Sequence, residues 1–185
     1  MKHPLSSYFV THRDFDVAAV HDALLSPGID AEIYGKGSQQ YCGAVIDQYK
    51  LYVEMADRVS ARRALANTFF LTLNTAVFTI IGVLWNRRPQ AASYVLLFPL
   101  AVLVIECLTW FWLLRSYRQL NAAKYVVIGA LESHLPVSPY WRAEWKALGE
   151  GHDPARYWPL SHVEAAVPLL FAITYVGAFL VAVTT

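Results

Sequence analysis

Three stretches of the chain are almost continuously apolar. Residues 64–85 carry no charge, residues 94–114 carry only Glu106, and residues 163–185 carry only Glu164. A helix needs about 20 apolar residues to cross the hydrocarbon core of a bilayer, whereas a soluble helix of that length keeps a polar face. The pattern therefore predicts three membrane-spanning helices over residues 64–85, 94–114 and 163–185.

Long helices are expected to extend beyond the first two spans. No Gly or Pro occurs between Val45 and Ile81, and apolar or small residues recur at helical spacing before the first span begins. The helical pattern of span two continues to Pro136. Residues 115–162 are therefore predicted to form a helical part outside the membrane.

A short helix is predicted after Pro136. Ser138 is suited to its N-cap and Gly149 to its end. Trp141 and Trp145 are four positions apart and share one face of this helix. Two interpretations are open: this face packs on the long helices, or it lies at the lipid headgroups.

The first 44 residues have a different pattern. Residues 7–12 and 29–35 have the alternation of short strands, and residues 14–25 have the pattern of a helix. We expect a small β-α-β module over residues 1–44, in which residues 36–43 form a loop. The predicted fold class is thus an all-α integral membrane protein over residues 45–185 with a small N-terminal β-α-β piece.

Basic residues indicate the orientation of the spans. Only Arg87 and Arg88 lie in the turn between spans one and two, and the other 13 of the 15 Lys and Arg residues lie before span one or between spans two and three. Cytoplasmic loops of membrane proteins are enriched in Lys and Arg. The N-terminus is therefore predicted to be cytoplasmic and the C-terminus to lie outside.

Composition narrows the class of protein further. A hydrophobic fraction of 56% favours a membrane protein, and a net charge of +1 argues against a nucleic-acid partner. Cys42 and Cys107 are far apart and match neither a zinc site nor a disulfide framework. The sequence contains no nucleotide-binding, metalloprotease or hydrolase motif. We therefore predict no enzymatic activity, no catalytic residue, no cofactor and no metal.

Glu106 is the residue that most needs an explanation. Inserting an ionisable side chain near the bilayer centre costs about 2.5–3.5 kcal/mol. Span one has polar residues at comparable depth, namely Asn74, Thr72, Thr75 and Thr79. In one interpretation Glu106 is protonated and hydrogen-bonds Asn74 or a threonine, which holds the helices together. In the other, copies of Glu106 form a ring in an oligomer and favour cations.

The start of span three resembles a capping box. Ser161 is followed three positions later by Glu164, so the serine is predicted to cap the helix and the acid to reach back to the cap amide. Glu164 is therefore interpreted as part of a helix start rather than as a catalytic group.

Two stretches resemble a known family. QYKLYVEMADRVSARRALANTFFLTLNTA, at residues 48–76, and SYRQLNAAKYVVIGALESHLP, at residues 116–136, are similar to the RipA family of small bacterial inner-membrane proteins. Glu144 with Trp145, and Glu164 with Pro168, extend the resemblance, which covers roughly residues 45–183. The resemblance implies three spans, a helical cytoplasmic assembly and an octamer in the bacterial inner membrane.

The family context also suggests roles for polar residues on the long helices. Inter-subunit hydrogen bonds, and ion pairs with Asp57 or Glu132, are expected to hold the helices in register. The candidate assembly residues are Arg62, Arg63, Arg115, Arg118, Asn121 and Lys124.

Two functions are consistent with these features. The first is a channel-like or membrane-perturbing effector gated from the cytoplasm, and the resemblance implies a setting of stress adaptation or phage defence. The second is a non-conducting scaffold that recruits cytoplasmic partners. The lipid bilayer and further copies of the chain are the expected partners in both.

Overall fold

The computed structural model describes residues 16–24, 35, 38–84, 93–149 and 160–184. Over these ranges the chain is helical and contains no strand. The elements are α1 (Val17–Leu24), α2 (Gln39–Leu84), α3 (Ser93–Glu132), a π-helix (Pro139–Glu144), α4 (Trp145–Ala147) and α5 (Leu160–Thr184). The predicted all-α fold class is confirmed for the described residues beyond the N-terminal piece.

Three of these helices are long and apolar enough to cross a membrane: α2, α3 and α5. Helix α5 has 25 residues, which is close to the length of one crossing. Helices α2 and α3 have 46 and 40 residues, about twice that length. Each of these two therefore combines one apolar span with a more polar half, as the sequence predicts.

The described part of the N-terminal module contains its helix. Asp16 caps α1, because the backbone N–H of Ala19 donates to the Asp16 Oδ1 atom at 3.0 Å. The predicted strand residues 7–12 and 29–34 lie outside the described residues. Gly35, the last residue of the second predicted strand, has a φ of 73°, which is a left-handed conformation and not a strand. The β-α-β arrangement therefore has no support from the described residues.

The predicted loop over residues 36–43 is wrong from Gln39 onward. Helix α2 begins there because the Ser38 hydroxyl accepts a hydrogen bond from the backbone N–H of Tyr41 at 3.1 Å. Gly43 lies inside the helix, since one glycine weakens a helix by only about 1 kcal/mol relative to alanine. Residue 44, the predicted edge of the module, is thus within a helix.

The chain divides into two compact units. The first unit comprises Met1–Glu54 and Ala122–Glu150, and the second comprises Met55–Asn121 and Gly151–Thr185. Helices α2 and α3 each contribute residues to both units.

Aromatic packing forms much of the core of the second unit. Trp110 of α3 is completely buried and stacks on Phe70 of α2, with ring centroids 5.7 Å apart and an interplanar angle of 12°. Phe171 of α5 contacts the same indole at 6.2 Å. Because lipid is as apolar as these rings, their close packing rather than exclusion of water favours association of the three helices.

The core of the first unit is built mainly on α3. Lys124 is only 8% exposed, and its ammonium lies 4.8 Å from the centroid of the Tyr52 ring on α2. A desolvated cation over an aromatic face is stabilised by about 0.5–2 kcal/mol. The apolar residues of α3 that are buried in this unit are Val126, Ile128, Ala130 and Leu131.

Helix α3 ends at Glu132, earlier than the predicted end near Pro136. Proline disfavours helical backbone in the residue before it, and backbone turns at Ser133–Leu135 already close the helix. Ser138 then occupies the N-cap position of the π-helix, and Gly149, with a φ of 77°, ends the segment. Both residues lie where the sequence predicts them.

Gly129 of α3 and Trp141 of the π-helix pack together closely. A Cβ atom added at Gly129 would lie 2.6 Å from two ring atoms of Trp141. The absence of a side chain at this position lets the indole lie directly on the helix. Trp141 therefore packs on a long helix, although 41% of it stays exposed.

We expect Gly129→Ala to destabilise the first unit by about 1–3 kcal/mol, the usual cost of overpacking. The added methyl would displace Trp141, and the gain in helix propensity offsets only about 1 kcal/mol of that cost. Thermal unfolding of the purified protein, followed by tryptophan fluorescence, measures the effect.

Gly43→Ala is the matched control, because nothing lies within 4 Å of a Cβ added there. That variant should be as stable as the parent or slightly more stable. Equal melting temperatures for the Gly129→Ala and Gly43→Ala variants would contradict the packing described.

Candidate functional site

Asn74 of α2 is the centre of a buried polar cluster in the second unit. We call Asn74, Glu106, Cys107 and Tyr175 the intramembrane cluster. Asn74 is completely buried, and so are Cys107 at 1% and Tyr175 at 3% exposure, whereas Glu106 is half-buried. The cluster therefore contains polar atoms that cannot reach water and must satisfy each other.

The side-chain amide of Asn74 uses its full hydrogen-bonding capacity. Its Nδ2 donates to the Glu106 Oε1 atom at 2.8 Å and to the backbone carbonyl of Phe70 at 2.9 Å. Its Oδ1 accepts from the Tyr175 hydroxyl at 3.0 Å and lies 3.5 Å from the Cys107 Sγ atom, a weaker donor. An asparagine side chain offers two donors and two lone pairs, so none remains unused.

The cluster joins three helices through one residue. Asn74 belongs to α2, Glu106 to α3 and Tyr175 to α5. A polar side chain in hydrocarbon is stabilised when it finds a partner on another helix. The observed contact between Glu106 and Asn74 is the one that the helix-packing interpretation of the sequence requires.

The threonines of span one do not take part in the cluster. Thr72, Thr75 and Thr79 are all exposed. The Thr75 hydroxyl donates to the carbonyl of Leu71 at 2.7 Å, and the Thr79 hydroxyl to that of Thr75 at 2.8 Å. Hydroxyls bonded to the preceding turn can face lipid, so their positions do not require a water-filled path.

Sequence reasoning did not include Tyr175 and Cys107 in the cluster. The available signal was a tyrosine in the middle of span three, away from the interfacial positions where tyrosine usually lies. Cys107 gives no comparable signal, because a buried thiol behaves as a small apolar side chain.

Further polar contacts connect α2 with its neighbours in the second unit. The Asn121 amide donates to the Ser60 hydroxyl at 2.9 Å, and the Trp110 indole N–H to the Asn67 Oδ1 atom at 3.2 Å. The α2 positions 60, 63, 67 and 74 are separated by three, four and seven residues, which places them on one helix face. Polar contacts thus recur along a single seam.

Arg63 lies on this seam and pairs with Glu164 of α5 through its Nη2 atom. Both side chains are mostly buried, so the pair is shielded from solvent. Helix α5 begins at Leu160, and Ser161 is therefore inside the first turn and not at the N-cap. This corrects the predicted capping box: Glu164 binds a guanidinium of α2.

The other candidate assembly residues have varied surroundings. The Arg115 guanidinium lies 5.5 Å from the Trp112 ring centroid, Arg118 is half-buried and Arg62 is exposed. Arg63, Asn121 and Lys124 make the contacts described above within a single chain. Within the chain their partners are Glu164, Ser60 and Tyr52. The expected inter-subunit hydrogen bonds, and ion pairs with Asp57 or Glu132, stay a prediction.

Glu132 of the first unit is a buried acid with four hydrogen-bond donors. It is 1% exposed. Its Oε1 accepts from the Tyr49 hydroxyl at 3.1 Å and the backbone N–H of Tyr140 at 3.0 Å. Its Oε2 accepts from the Ser138 hydroxyl at 2.6 Å and the backbone N–H of Trp141 at 2.9 Å.

These bonds keep the carboxylate charged. Burial by itself raises the pKa of Glu132, but the hydrogen bonds from Ser138, Trp141, Tyr140 and Tyr49 outweigh it, and the net pKa lies below its usual value. Burial, and then the bond to this carboxylate, raise the pKa of Tyr49 to about 12. Glu132 therefore supplies a negative charge to the free N–H groups that open the π-helix.

A cavity of about 220 Å³ lies beside Glu132 in the first unit. His21 of α1 lines it, and its ring stacks on that of His134 with centroids 5.2 Å apart. Burial, and then the neighbouring His21, lower the pKa of His134. The remaining lining residues come from α1 and from the segment between Gly129 and Arg142.

The described residues contain no cluster of three or more His, Cys, Asp or Glu side chains arranged to bind a metal ion. Within these same ranges, Cys42 and Cys107 are free thiols. The polar groups found together in the two units are hydrogen-bonding and ion-pairing groups.

Three long apolar helices connected by buried polar contacts define a helical, multi-span membrane protein. The model of the octameric membrane protein family (8xMP) matches residues 46–184. The chain therefore belongs to this family, and it is a homo-oligomeric membrane protein, as the resemblance to octameric proteins implied. Comparison with curated proteins and with solved structures found no match.

We expect Asn74→Ala to destabilise the protein by about 1–3 kcal/mol. Interhelical hydrogen bonds in membrane proteins contribute about 0.6 kcal/mol each and at most about 1.7 kcal/mol, and this change removes several of them. Thermal unfolding in detergent measures the loss, and Tyr175→Phe should have a smaller effect because it removes one hydroxyl.

Thr79→Val serves as the control on the same helix, since that hydroxyl bonds only its own backbone. Its melting temperature should match that of the parent. A loss of stability in Thr79→Val equal to that in Asn74→Ala would mean that Asn74 has no special role.

We expect Glu132→Gln to loosen the segment 138–147. Glutamine places an NH₂ group opposite N–H and O–H donors, and each lost hydrogen bond to a charged group costs about 1.5–3 kcal/mol. Hydrogen–deuterium exchange should be faster in residues 138–147 of the variant. Glu144→Gln, an exposed acid of the same segment, should exchange like the parent.

The same carboxylate has a predictable pH response. Because its pKa is lowered by folding, its stabilising contribution is complete above the usual carboxyl pKa of about 4.3 and is lost as the pH falls below it. Glu132→Gln should remove this acid-dependent loss. An unchanged acid response in the variant would assign it to other carboxylates.

Proposed function

We propose that this protein is a homo-oligomeric scaffold of the bacterial inner membrane, with eight copies and a cytoplasmic N-terminus. The observation that supports a scaffold is the saturation of Asn74 within one subunit. The spans use their polar groups to hold one another, so none of the Asn74 groups is left to bind a passing ion. The membrane part then anchors the assembly, and recruitment of partners falls to the cytoplasmic part.

The first unit supplies surfaces that neighbouring copies can cover. Ile46, Leu51 and Tyr125 are exposed by 37%, 58% and 45% although they lie outside the predicted spans. Outside the membrane these side chains would face water and not lipid. Apolar side chains exposed to water favour protein–protein contact. Membership of an octameric family supports eight copies as the closed assembly.

The distribution of charge supports the orientation. Arg87 and Arg88 are the only basic residues on the proposed outer side, and 13 of the 15 lie on the cytoplasmic side. The scaffold needs no catalytic residue and no cofactor. Recruitment of partners under stress or in phage defence is consistent with the family resemblance.

A second candidate function is a cytoplasmically gated channel, and Glu106 is the observation that favours it. One carboxylate oxygen bonds Asn74, but the residue as a whole is only half-buried. Eight copies would place eight such carboxylates at the same depth. A ring of acids in a pore favours cations.

Ion flux in reconstituted liposomes distinguishes the two functions. For a scaffold, the oligomer should pass no more potassium than empty liposomes, and Glu106→Gln should leave that unchanged. For a channel, potassium flux should be at least tenfold above empty liposomes and should fall in Glu106→Gln. Glu144→Gln, outside the spans, controls for loss of a carboxylate elsewhere.

Two further measurements complete the test: one gives the number of subunits, and the other detects ion leakage in cells, which contain cytoplasmic signals that liposomes lack. Native mass spectrometry should give about 166 kDa, eight times the chain mass of 20.8 kDa. A membrane-potential dye in expressing cells reports leakage where any cytoplasmic signal is present. Depolarisation that depends on Glu106 would overturn the scaffold and establish the channel.

A further inference from the structure

The cavity of the first unit is closed on one side by the N-terminal helix α1. Val17 and His21 of α1 form one wall, and the end of α3 with the π-helix forms the other. The family match begins at residue 46, so α1 lies outside it. The cavity therefore has one wall within the family-matched segment and one wall outside it.

The charges around the cavity are unequal. Glu132 lines it, but its carboxylate is buried and accepts four hydrogen bonds, so it has little capacity for a ligand. Arg142 also lines the cavity, is exposed, and makes no side-chain hydrogen bond or ion pair with a described residue. The charge available to a ligand is thus positive.

The two serines of the lining are already engaged. The Ser138 hydroxyl donates to Glu132, and the Ser133 hydroxyl donates to the carbonyl of Ala130 at 2.7 Å. Besides Glu132 and Arg142, His21 also lines the cavity. A ligand would therefore find a guanidinium and an imidazole as its polar partners.

The rest of the lining is apolar and contains one large aromatic ring. Trp141 lies across Gly129 with 41% of its surface exposed, and Leu135, Pro136 and Val137 line the same cavity. Aromatic faces stack on planar ligands, and arginine binds carboxylate or phosphate through two parallel hydrogen bonds. The volume of about 220 Å³ is below the range of about 300–1,000 Å³ of drug-sized sites.

We propose that this cavity binds a small organic anion, a planar ring that carries a carboxylate or a phosphate. The anionic group lies at Arg142 and His21, and the ring packs against Trp141. Binding joins α1 to the π-helix segment and so orders the N-terminal helix. The site exists whether the assembly is a scaffold or a channel, so the proposal does not depend on either function.

Fluorine NMR of the full-length protein in phosphatidylcholine nanodiscs tests the site. The probes are 4-fluorobenzoate, 4-fluorophenyl phosphate and the uncharged 4-fluorobenzamide. At least one anion should show a saturable shift, with affinity at least tenfold above that of the amide. The tighter of the two anions identifies the headgroup that the site prefers, and empty nanodiscs correct for partition into lipid.

Arg142→Ala should weaken the tighter anion at least tenfold, and Arg142→Lys should restore part of the affinity. Lys146→Ala is the matched control, because Lys146 is a basic exposed residue that follows in α4 and does not line the cavity. The bound anion should also slow hydrogen–deuterium exchange in Val17–Leu24. Arg142 is exposed, so its replacement should leave the oligomer intact on size exclusion.

Three results would overturn the proposal. They are the absence of saturable binding by both anions, equal binding of the amide, and equal losses in Arg142→Ala and Lys146→Ala. Each can occur with or without ion flux in liposomes, so failure of this site is distinguishable from failure of the proposed function.

Discussion

The hydrogen bonds of Asn74 are the interaction on which the arrangement of the three apolar helices depends. Lipid offers no partner for a polar side chain, so each polar group placed in a span must find one in the protein. Asn74 reaches Glu106 on α3 and Tyr175 on α5 and leaves no group of its own unpaired. Few mutual orientations of three smooth apolar helices meet that condition, and the cluster therefore selects one of them.

Polar contacts to the neighbouring helices recur along α2 before Asn74. Asn121 with Ser60, Arg63 with Glu164 and Trp110 with Asn67 repeat the same kind of pairing on one face of the helix. Apolar packing between helices in lipid is weakly specific, because one leucine-rich face fits many others. Regularly spaced polar pairs define the register, and the stacked Phe70 and Trp110 rings fill the space between them.

The first unit also contains a buried polar side chain whose hydrogen bonds are all made within the protein, and here it fixes the start of the next segment. Glu132 is buried like Asn74, but two of its four donors are the backbone N–H groups of the π-helix. An acid at the end of one helix thus organises the start of the next segment. The same segment provides Trp141 and Arg142 to the cavity, so the acid that stabilises the fold also positions the residues with which a ligand could interact.

Much of this protein was determined by the sequence alone. The three spans, the length of the helices beyond them, and the short segment between Ser138 and Gly149 follow from local pattern, because hydropathy and capping act between neighbouring residues. Glu106 and Asn74 could be singled out because polar groups in lipid are costly. Local pattern also located most ends of the helices. It failed at the start of α2, where Gly43 suggested a loop but the helix begins at Gln39, capped by Ser38.

Only the tertiary structure decided the partners. The sequence could not choose between Asn74 and the threonines for Glu106, or between a capping box and Arg63 for Glu164. It could not indicate that Glu132 would be enclosed by four donors. Asn74 and Glu106 are 32 positions apart, and Arg63 and Glu164 are 101 positions apart. Three of the four donors to Glu132 follow it within nine residues, but the fourth, Tyr49, is 83 positions away. The partners are selected by helix packing and by the need to satisfy every buried polar group.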